Sequence, residues 1–348
     1  MDSFLLLTRA GFEGDCAAEL ADRTSGAGGS GYPQVRKGEG WLVWRQLQGE
    51  PLAVVRPMPV FARTAWPILE TLELPGQDRI SPILDALEGT GSWTGVRLEH
   101  PDTNEGRALQ RFLRGFRRPL EKTLRNRGML TSHGEAVLNL FFADSRQVTL
   151  GWSQPPWDCG WESGIPRLRL ARQAPSRSAL KLEEAWLRLF SPEERQHWLR
   201  AGRTAVDLGA APGGWTWQLA RHGLRVTAVD HGMLDEGLLR EYPVEHLRAD
   251  AYTWRPKGTV DWLVCDVVDK PARTLALMEK WLAGGRARLA VFNLKLPMKQ
   301  RYRVVEQSLG RLRAMSGAGN GGFSVRAAQL YHDRDEITVV VLPPTPGQ

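Results

Sequence analysis

The chain has 348 residues, 42% of them hydrophobic and 24% charged, with a formal net charge of +7. That is ordinary globular composition; it excludes a disordered chain, a collagen-like chain and a coiled coil, and the length suits two domains better than one. Three scattered cysteines (Cys16, Cys159, Cys265) form no C-x-x-C pair, so neither a zinc or redox motif nor a disulfide framework is expected.

The opening Met1–Arg9 carries an acid at position 2 and a short apolar run, so no signal peptide is expected. No run approaches the ~20 apolar residues that span a bilayer, and the chain reads as cytoplasmic, with no membrane partner. Thr24–Gly31, rich in Gly and Ser, predicts a loop. Gly40–Arg45, Leu52–Val55 and Val137–Phe142 read as strands with helical stretches between them, giving an α+β first part. Residues 107–127 hold eight basic residues against the single acid Glu121. Arg107, Arg111, Arg114, Arg118, Lys122 and Arg125 step by three and four, as do Leu109, Phe112, Phe116, Leu120 and Leu124. That spacing predicts an amphipathic helix with a core side and a cationic side, kinked or split at Pro119. An unmixed row of cations repels itself unless neutralised, which favours phosphate binding over a merely solvated face. The fourteen tryptophans are expected in cores rather than as stacking platforms.

Gly151–Pro175 is punctuated by Pro155, Pro156, Gly160, Gly164 and Pro166 and marks a boundary. The expected organisation is a domain over 1–165, a linker over 166–175 and a second domain over 176–348. Beyond the linker, strands are expected at Thr204–Leu208, Arg225–Val229, Glu245–Ala249, Val260–Cys265, Ala287–Leu294, Ser324–Gln329 and Ile337–Leu342. Their alternation with helical stretches predicts an α/β fold with a mainly parallel sheet covered on both faces. Ligands in such sheets lie beyond the carboxyl ends of the strands.

The segment Asp207-Leu208-Gly209-Ala210-Ala211-Pro212-Gly213-Gly214-Trp215 joins a strand to a helix. Its glycines allow close backbone approach to a ligand, and the helix end offers bare N–H groups. The spacing is not the G-x-G-x-x-G of dinucleotide sites. An acid two residues before Gly209 would repel a pyrophosphate but suits an amino group. S-adenosylmethionine, with an amino group, a carboxylate and a sulfonium, fits better: the helix end takes the carboxylate and Asp207 favours the cationic part directly or through water. Asp230, about 20 residues on, matches a ribose-hydroxyl partner, and Asp250 is placed for the adenine amino group. No metal is called for.

Four further residues sit at strand or helix ends around this loop. Lys181 opens a helical stretch, Asp266 follows the fourth strand, Lys295 follows the fifth, and Glu336 begins the last. The order Lys181–Asp266–Lys295–Glu336 resembles the tetrad of Rossmann-like ribose 2′-O-methyltransferases. The segments Ser176–Ala185, Val206–Trp215, Trp262–Lys270, Phe292–Lys299 and Gln329–Val339 more specifically resemble the large-subunit ribosomal RNA methyltransferase M family, with Ala211 where that family usually has cysteine. The resemblance implies a Rossmann-like S-adenosylmethionine-dependent domain behind a THUMP-containing RNA-binding region. It implies 2′-O-methylation of a cytidine ribose in 23S ribosomal RNA, or in its precursor; the sequence does not fix the oligomeric state, and a monomer is favoured. Carried over by position, Ser178, Ala211, Pro212, Gly213, Gly214, Asp230, Asp250 and Asp266 would bind the cofactor, and Lys295 would accept the proton. A lysine amine accepts a proton only when uncharged, a state that burial or a neighbouring cation such as Lys181 favours. Asp266 is then expected to orient, and Glu336 to position Lys181 or the ribose. Lys299, Arg301 and Arg303 are placed for flanking phosphates.

Other chemistries fit less well. Amino methylation calls for an Asn/Asp-Pro-Pro-aromatic loop where this chain has Asp266-Val267-Val268-Asp269. Ring-carbon attack needs a cysteine, and Cys265 alternates away from the side that Asp266 faces. The remaining alternative is an RNA-binding or ribosome-assembly factor that keeps the fold without turnover.

Overall fold

The computed structural model describes residues 3–155, 158–317 and 322–344. Met1, Asp2 and Pro156, used in the sequence expectations, lie outside the described residues. The chain divides into two compact units between Pro166 and Arg167.

In chain order the first unit contains β1 (Ser3–Thr8), α1 (Glu13–Gly26), β2 (Ser30–Val35), β3 (Trp41–Gln48), α2 (Pro51–Val55) and β4 (Ala62–Glu73). It continues with α3 (Ser81–Leu87), β5 (Gly95–Glu99), α4 (Asn104–Ala108), α5 (Gln110–Asn126), β6 (Val137–Phe142) and β7 (Gln147–Ser153). The seven strands form one sheet in the order β2-β3-β1-β4-β7-β6-β5, antiparallel except for β5 on β6. Two sequence expectations fail here. Leu52–Val55 is helical, because Pro51 suits a first helical position and the Glu50 side chain accepts from Leu52 N at 3.4 Å. Thr24–Gly31 is mostly regular structure: α1 runs to Gly26 and β2 begins at Ser30.

The basic helix is two helices, α4 and α5, separated by Leu109 alone. Leu113, Phe116, Leu120 and Leu124 are buried against Leu138, Leu140 and Phe142 of β6, while Arg111, Arg114, Arg118, Lys122 and Arg125 are exposed. Pro119 does not end α5. The carbonyl it leaves without a donor belongs to exposed Gly115, where water can serve it.

The second unit holds α6 (Ala179–Leu189), α7 (Pro192–Trp198), β8 (Thr204–Leu208), α8 (Gly214–Arg221), β9 (Arg225–Val229), α9 (Glu236–Glu241) and β10 (Val244–Leu247). After these come β11 (Val260–Cys265), α10 (Pro271–Ala283), β12 (Ala287–Lys295), α11 (Arg301–Gly317), β13 (Ser324–Ala328) and β14 (Glu336–Leu342). The sheet order is β10-β9-β8-β11-β12-β14-β13, parallel except for β14 and β13. The chain order reverses between β8 and β11, which is the switch point where doubly wound sheets open a ligand crevice. The β10 strand lies one or two residues earlier than Glu245–Ala249. Trp262 and Trp281 are fully buried in this unit and Trp44 and Trp66 in the first, in keeping with packing roles. Among the described residues no helix is long and apolar enough to cross a membrane, and no cluster of His, Cys, Asp and Glu could hold a metal.

Candidate active site

Strand register builds the centre of the site. On the antiparallel pair β12–β14, Lys295 lies opposite Glu336, and two residues along the same face Asn293 lies opposite Thr338. Asp266 follows directly on β11, the other neighbour of β12. Lys181 arrives from α6. Its Nζ lies 3.2 Å from Asp266 Oδ2 and 2.5 Å from Glu336 Oε1, while Lys295 Nζ donates to Glu336 Oε2. The four tetrad residues are thus in one cluster, with Glu336, 1% exposed, bridging the Nζ atoms of both lysines.

The electrostatics follow. Burial alone would push the Lys181 ammonium down, but the Asp266 and Glu336 carboxylates outweigh it and raise it. Burial would push Glu336 up, but Lys181 and Lys295 hold it below its ordinary range. Lys181 and Glu336 are therefore both charged.

Behind the tetrad lies a buried chain that the sequence did not single out. Asn293 Nδ2 donates to Asp266 Oδ1 at 2.7 Å. Thr338 Oγ1 donates to Asn293 Oδ1 at 2.8 Å. Thr338 Oγ1 also lies 3.1 and 3.3 Å from the Asp333 carboxyl oxygens, so its one proton is shared between the Asn293 and Asp333 acceptors. That carboxyl is raised well above the usual range, first by burial and then by the charge of Glu336. Glu184, on α6 one turn beyond Lys181, accepts from Tyr331 N, His332 N and His332 Nδ1 at 2.7–3.0 Å. It fastens α6 to the connection leading into β14. Alternating strand pattern could have flagged Asn293 and Thr338, since a polar residue on a fully buried strand needs partners.

The glycine turn sits at the switch point. Gly213 has φ 112° and a Cβ there would stand 2.5 Å from Leu238 Cδ2. At Gly214 a Cβ would collide with the Ser176 and Ser178 hydroxyls, which lie 2.7 Å apart. Trp215 Nε1 donates to Ser178 O at 2.9 Å, pinning the start of α6 onto the start of α8. Ser178, Gly213 and Gly214 are therefore together, with Ser176 as an unforeseen neighbour. The two glycines let the turn pack directly against Leu238 and the two serine hydroxyls, which any side chain there would displace. Asp230 folds the turn as well as facing it: its two oxygens accept from Ala211 N at 2.9 Å and Gly232 N at 2.7 Å, each keeping a second lone pair. Gly209 adjoins Val267, beside Asp266.

Asp207 departs from the expectation that it faces the cofactor. It is 1% exposed and accepts from the Thr216 hydroxyl at 2.7 Å and from the Thr216 backbone, so it serves the first turn of α8. Burial, the largest influence, pushes it up to about 7. Asp250 is exposed, three residues past β10, and accepts from Tyr252 N at 2.9 Å. Arg301 is half-buried and lies 3.9 Å from Asp335, whereas Lys299 and Arg303 are exposed. Burial pushes the Cys265 thiol up to about 12, which removes it as a nucleophile.

A doubly wound sheet with a glycine turn at its switch point and an acid after the second strand is the architecture of S-adenosylmethionine-dependent methyltransferases. In agreement, residues 174–289 match the FtsJ-like methyltransferase family. Residues 1–56 match the RlmM ferredoxin-like domain, and residues 78–154 match ribosomal RNA large subunit methyltransferase M, N-terminal. The protein called ribosomal RNA large subunit methyltransferase M in Alkalilimnicola ehrlichii is 49% identical over 99% of this chain and 95% of its own length. Those of Azoarcus sp. and Pseudomonas putida are 44% and 42% identical over 97% of this chain, covering 95% and 97% of their own lengths. The chain belongs to the ribosomal RNA large subunit methyltransferase M family. A solved structure of TrmN from Thermus thermophilus is 17% identical, with a TM-score of 0.35 over 99% of this chain and 100% of that one; a likeness of that size bears on nothing further.

Proposed function

We propose that the second unit methylates the ribose 2′-hydroxyl of a cytidine in 23S ribosomal RNA. The observation that carries this is the tetrad: two lysines and two carboxylates gathered at the carboxyl edge of the sheet, beside the glycine turn. When bound, S-adenosylmethionine supplies a methyl on a sulfonium for in-line displacement. Ser178, Ala211, Pro212, Gly213, Gly214, Asp230 and Asp250 hold it in this reading. A ribose hydroxyl is a weak nucleophile and gains from losing its proton as it attacks. Lys295 Nζ takes that proton, and the Glu336 carboxylate beside it steadies the ammonium that forms. Glu336 holds Lys295 and Lys181 in fixed relation, Lys181 orients Asp266 from one side, and Asn293 orients it from the other. Proximity supplies the remainder of the acceleration.

Residues 1–165 form, in this reading, the THUMP-containing RNA-binding region, 166–175 the linker and 176–348 the methyltransferase domain. Among the described residues no acid lies within ion-pair distance of Arg111, Arg114, Arg118 or Lys122, which supports a phosphate-binding role for α5. The protein acts as a monomer in the cytoplasm on a precursor of the large subunit.

Mapping 2′-O-methyl groups in ribosomal RNA from cells with and without the protein tests this reading. One cytidine should lose its methyl in the deletion and regain it with the wild-type chain but not with Lys295→Met. An unchanged map, together with saturable RNA binding, would establish the assembly-factor alternative instead.

A further inference from the structure

The first unit carries an open cavity of about 750 Å³ between the turn before α3 and one side of α5. That volume lies in the range of small-molecule sites. Its walls include Asp78, Arg79, Arg111, Phe112, Gly115 and Pro119. The Arg79 guanidinium lies over the Phe112 ring, 5.0 Å from its centroid, and Arg79 Nε is shielded from solvent without a hydrogen-bond partner. Gly115 stands in the middle of α5 with nothing within 4 Å of where its Cβ would be. Glycine weakens a helix interior, so its presence at this wall keeps space open rather than stabilising α5. Pro119, one turn on, adds a flat apolar ring. Asp78 is the acid of the wall; its Oδ1 accepts from Ser81 N at 3.2 Å, and its other lone pairs suit an amino group, not a phosphate.

The chemistry selects the occupant. A guanidinium set over an aromatic ring offers a planar cationic surface of the kind on which unpaired bases stack. Arg111 stands at the rim, and Arg114, Arg118 and Lys122 continue the row beyond it, all exposed and without an acid partner among the described residues. One phosphate would leave most of that row unanswered. The geometry points to an unpaired nucleotide of the RNA strand seated in this cleft, its base on the Arg79–Phe112 pair and beside Pro119, with the strand's phosphates along Arg111, Arg114 and Arg118. This assignment rests on the reading of the first unit as RNA-binding.

Gly115→Gln in the full-length protein tests it, because the longer side chain fills the cleft and glutamine forms helix better than glycine, so the melting temperature should not fall. The probe is a fluorescent single-stranded oligocytidylate of eight nucleotides, beside the same backbone lacking bases. The wild type should bind the strand at least fivefold more tightly than the abasic backbone. Gly115→Gln should lose that preference while keeping the slope of affinity against salt, since no phosphate contact is removed. Two results overturn the cleft: equal binding of both backbones by the wild type, or an undiminished preference in Gly115→Gln. Competition by free cytidine monophosphate as strong as by the strand would also overturn it, in favour of a mononucleotide. If Arg114→Glu with Arg118→Glu lowers affinity and salt slope while Gly115→Gln changes nothing, only the cleft fails. If neither variant changes RNA binding, the RNA-binding reading of this unit fails.

Discussion

Replacing Lys295 with methionine separates chemistry from architecture. Glu336 keeps Lys181 at 2.5 Å, so its buried charge stays compensated. Lys295 is itself 30% exposed, and methionine preserves its apolar stem. The folded state should therefore lose no more than about 1 kcal/mol, the scale of a partly solvated ion pair. Loss of a general base removes typically ~10²–10⁴-fold in rate, about 3–5 kcal/mol of transition-state stabilisation. Lys181→Met is the contrast. It strips Asp266 and Glu336 of a shared ammonium that is 15% exposed, and roughly 2 kcal/mol of stability, or about 4–8 °C, should go with it. Single-turnover transfer of labelled methyl to ribosomal RNA gives the rate, calorimetry gives S-adenosylmethionine affinity, and thermal melting gives stability. Lys295→Met should be slow, cofactor-competent and stable. A rate within tenfold of wild type, or cofactor binding lost in step with the rate, would refute the role of Lys295 as base.

Three further outcomes follow from the geometry of the site. Asp207 is held at about 7 against an ordinary 3.8, so the stability tied to its proton is present below pH 4 and lost as pH rises through 7. Asp207→Asn should thus gain roughly 4 kcal/mol on the wild type between pH 4 and pH 8.5, read as urea midpoints, and a pH-independent difference would contradict it. Thr338→Val takes the hydroxyl donor from buried Asn293 Oδ1 and from the Asp333 carboxyl; about 1–3 kcal/mol of stability should go, with kcat falling and cofactor affinity held, as melting and kinetics will show. Gly213→Ala meets both a positive φ and Leu238, so cofactor affinity should drop at least tenfold by calorimetry, and unchanged affinity would place the cofactor elsewhere.

Residue spacing disclosed much of this molecule. The tetrad was legible because its order resembles that of the ribose 2′-O-methyltransferases and each member stands near a strand or helix end. The strands of the second unit were legible from apolar runs and the face of α5 from its three-and-four spacing, whereas β4, the longest strand, was not anticipated. What escaped depended on partners distant in the chain. Asp207 looks like a ligand residue from its place before the glycine turn; only the return of α8 over the strand shows its carboxyl spoken for by Thr216. Asn293 and Thr338 are meaningless apart, and gain a role only through their register across β12 and β14. Leu52–Val55 is apolar enough for either state, and its proline and cap decided for helix.

Because Lys295 and Glu336 face one another as rungs of an antiparallel ladder, and Asn293 and Thr338 form a second rung two residues away, their alignment is a property of strand phase. A single-residue deletion inside β14 would turn Glu336 or Thr338 to the opposite side of the sheet. Length changes among homologues should therefore gather outside this ladder, and a chain bearing one within it would keep a recognisable fold while its chemistry fell silent.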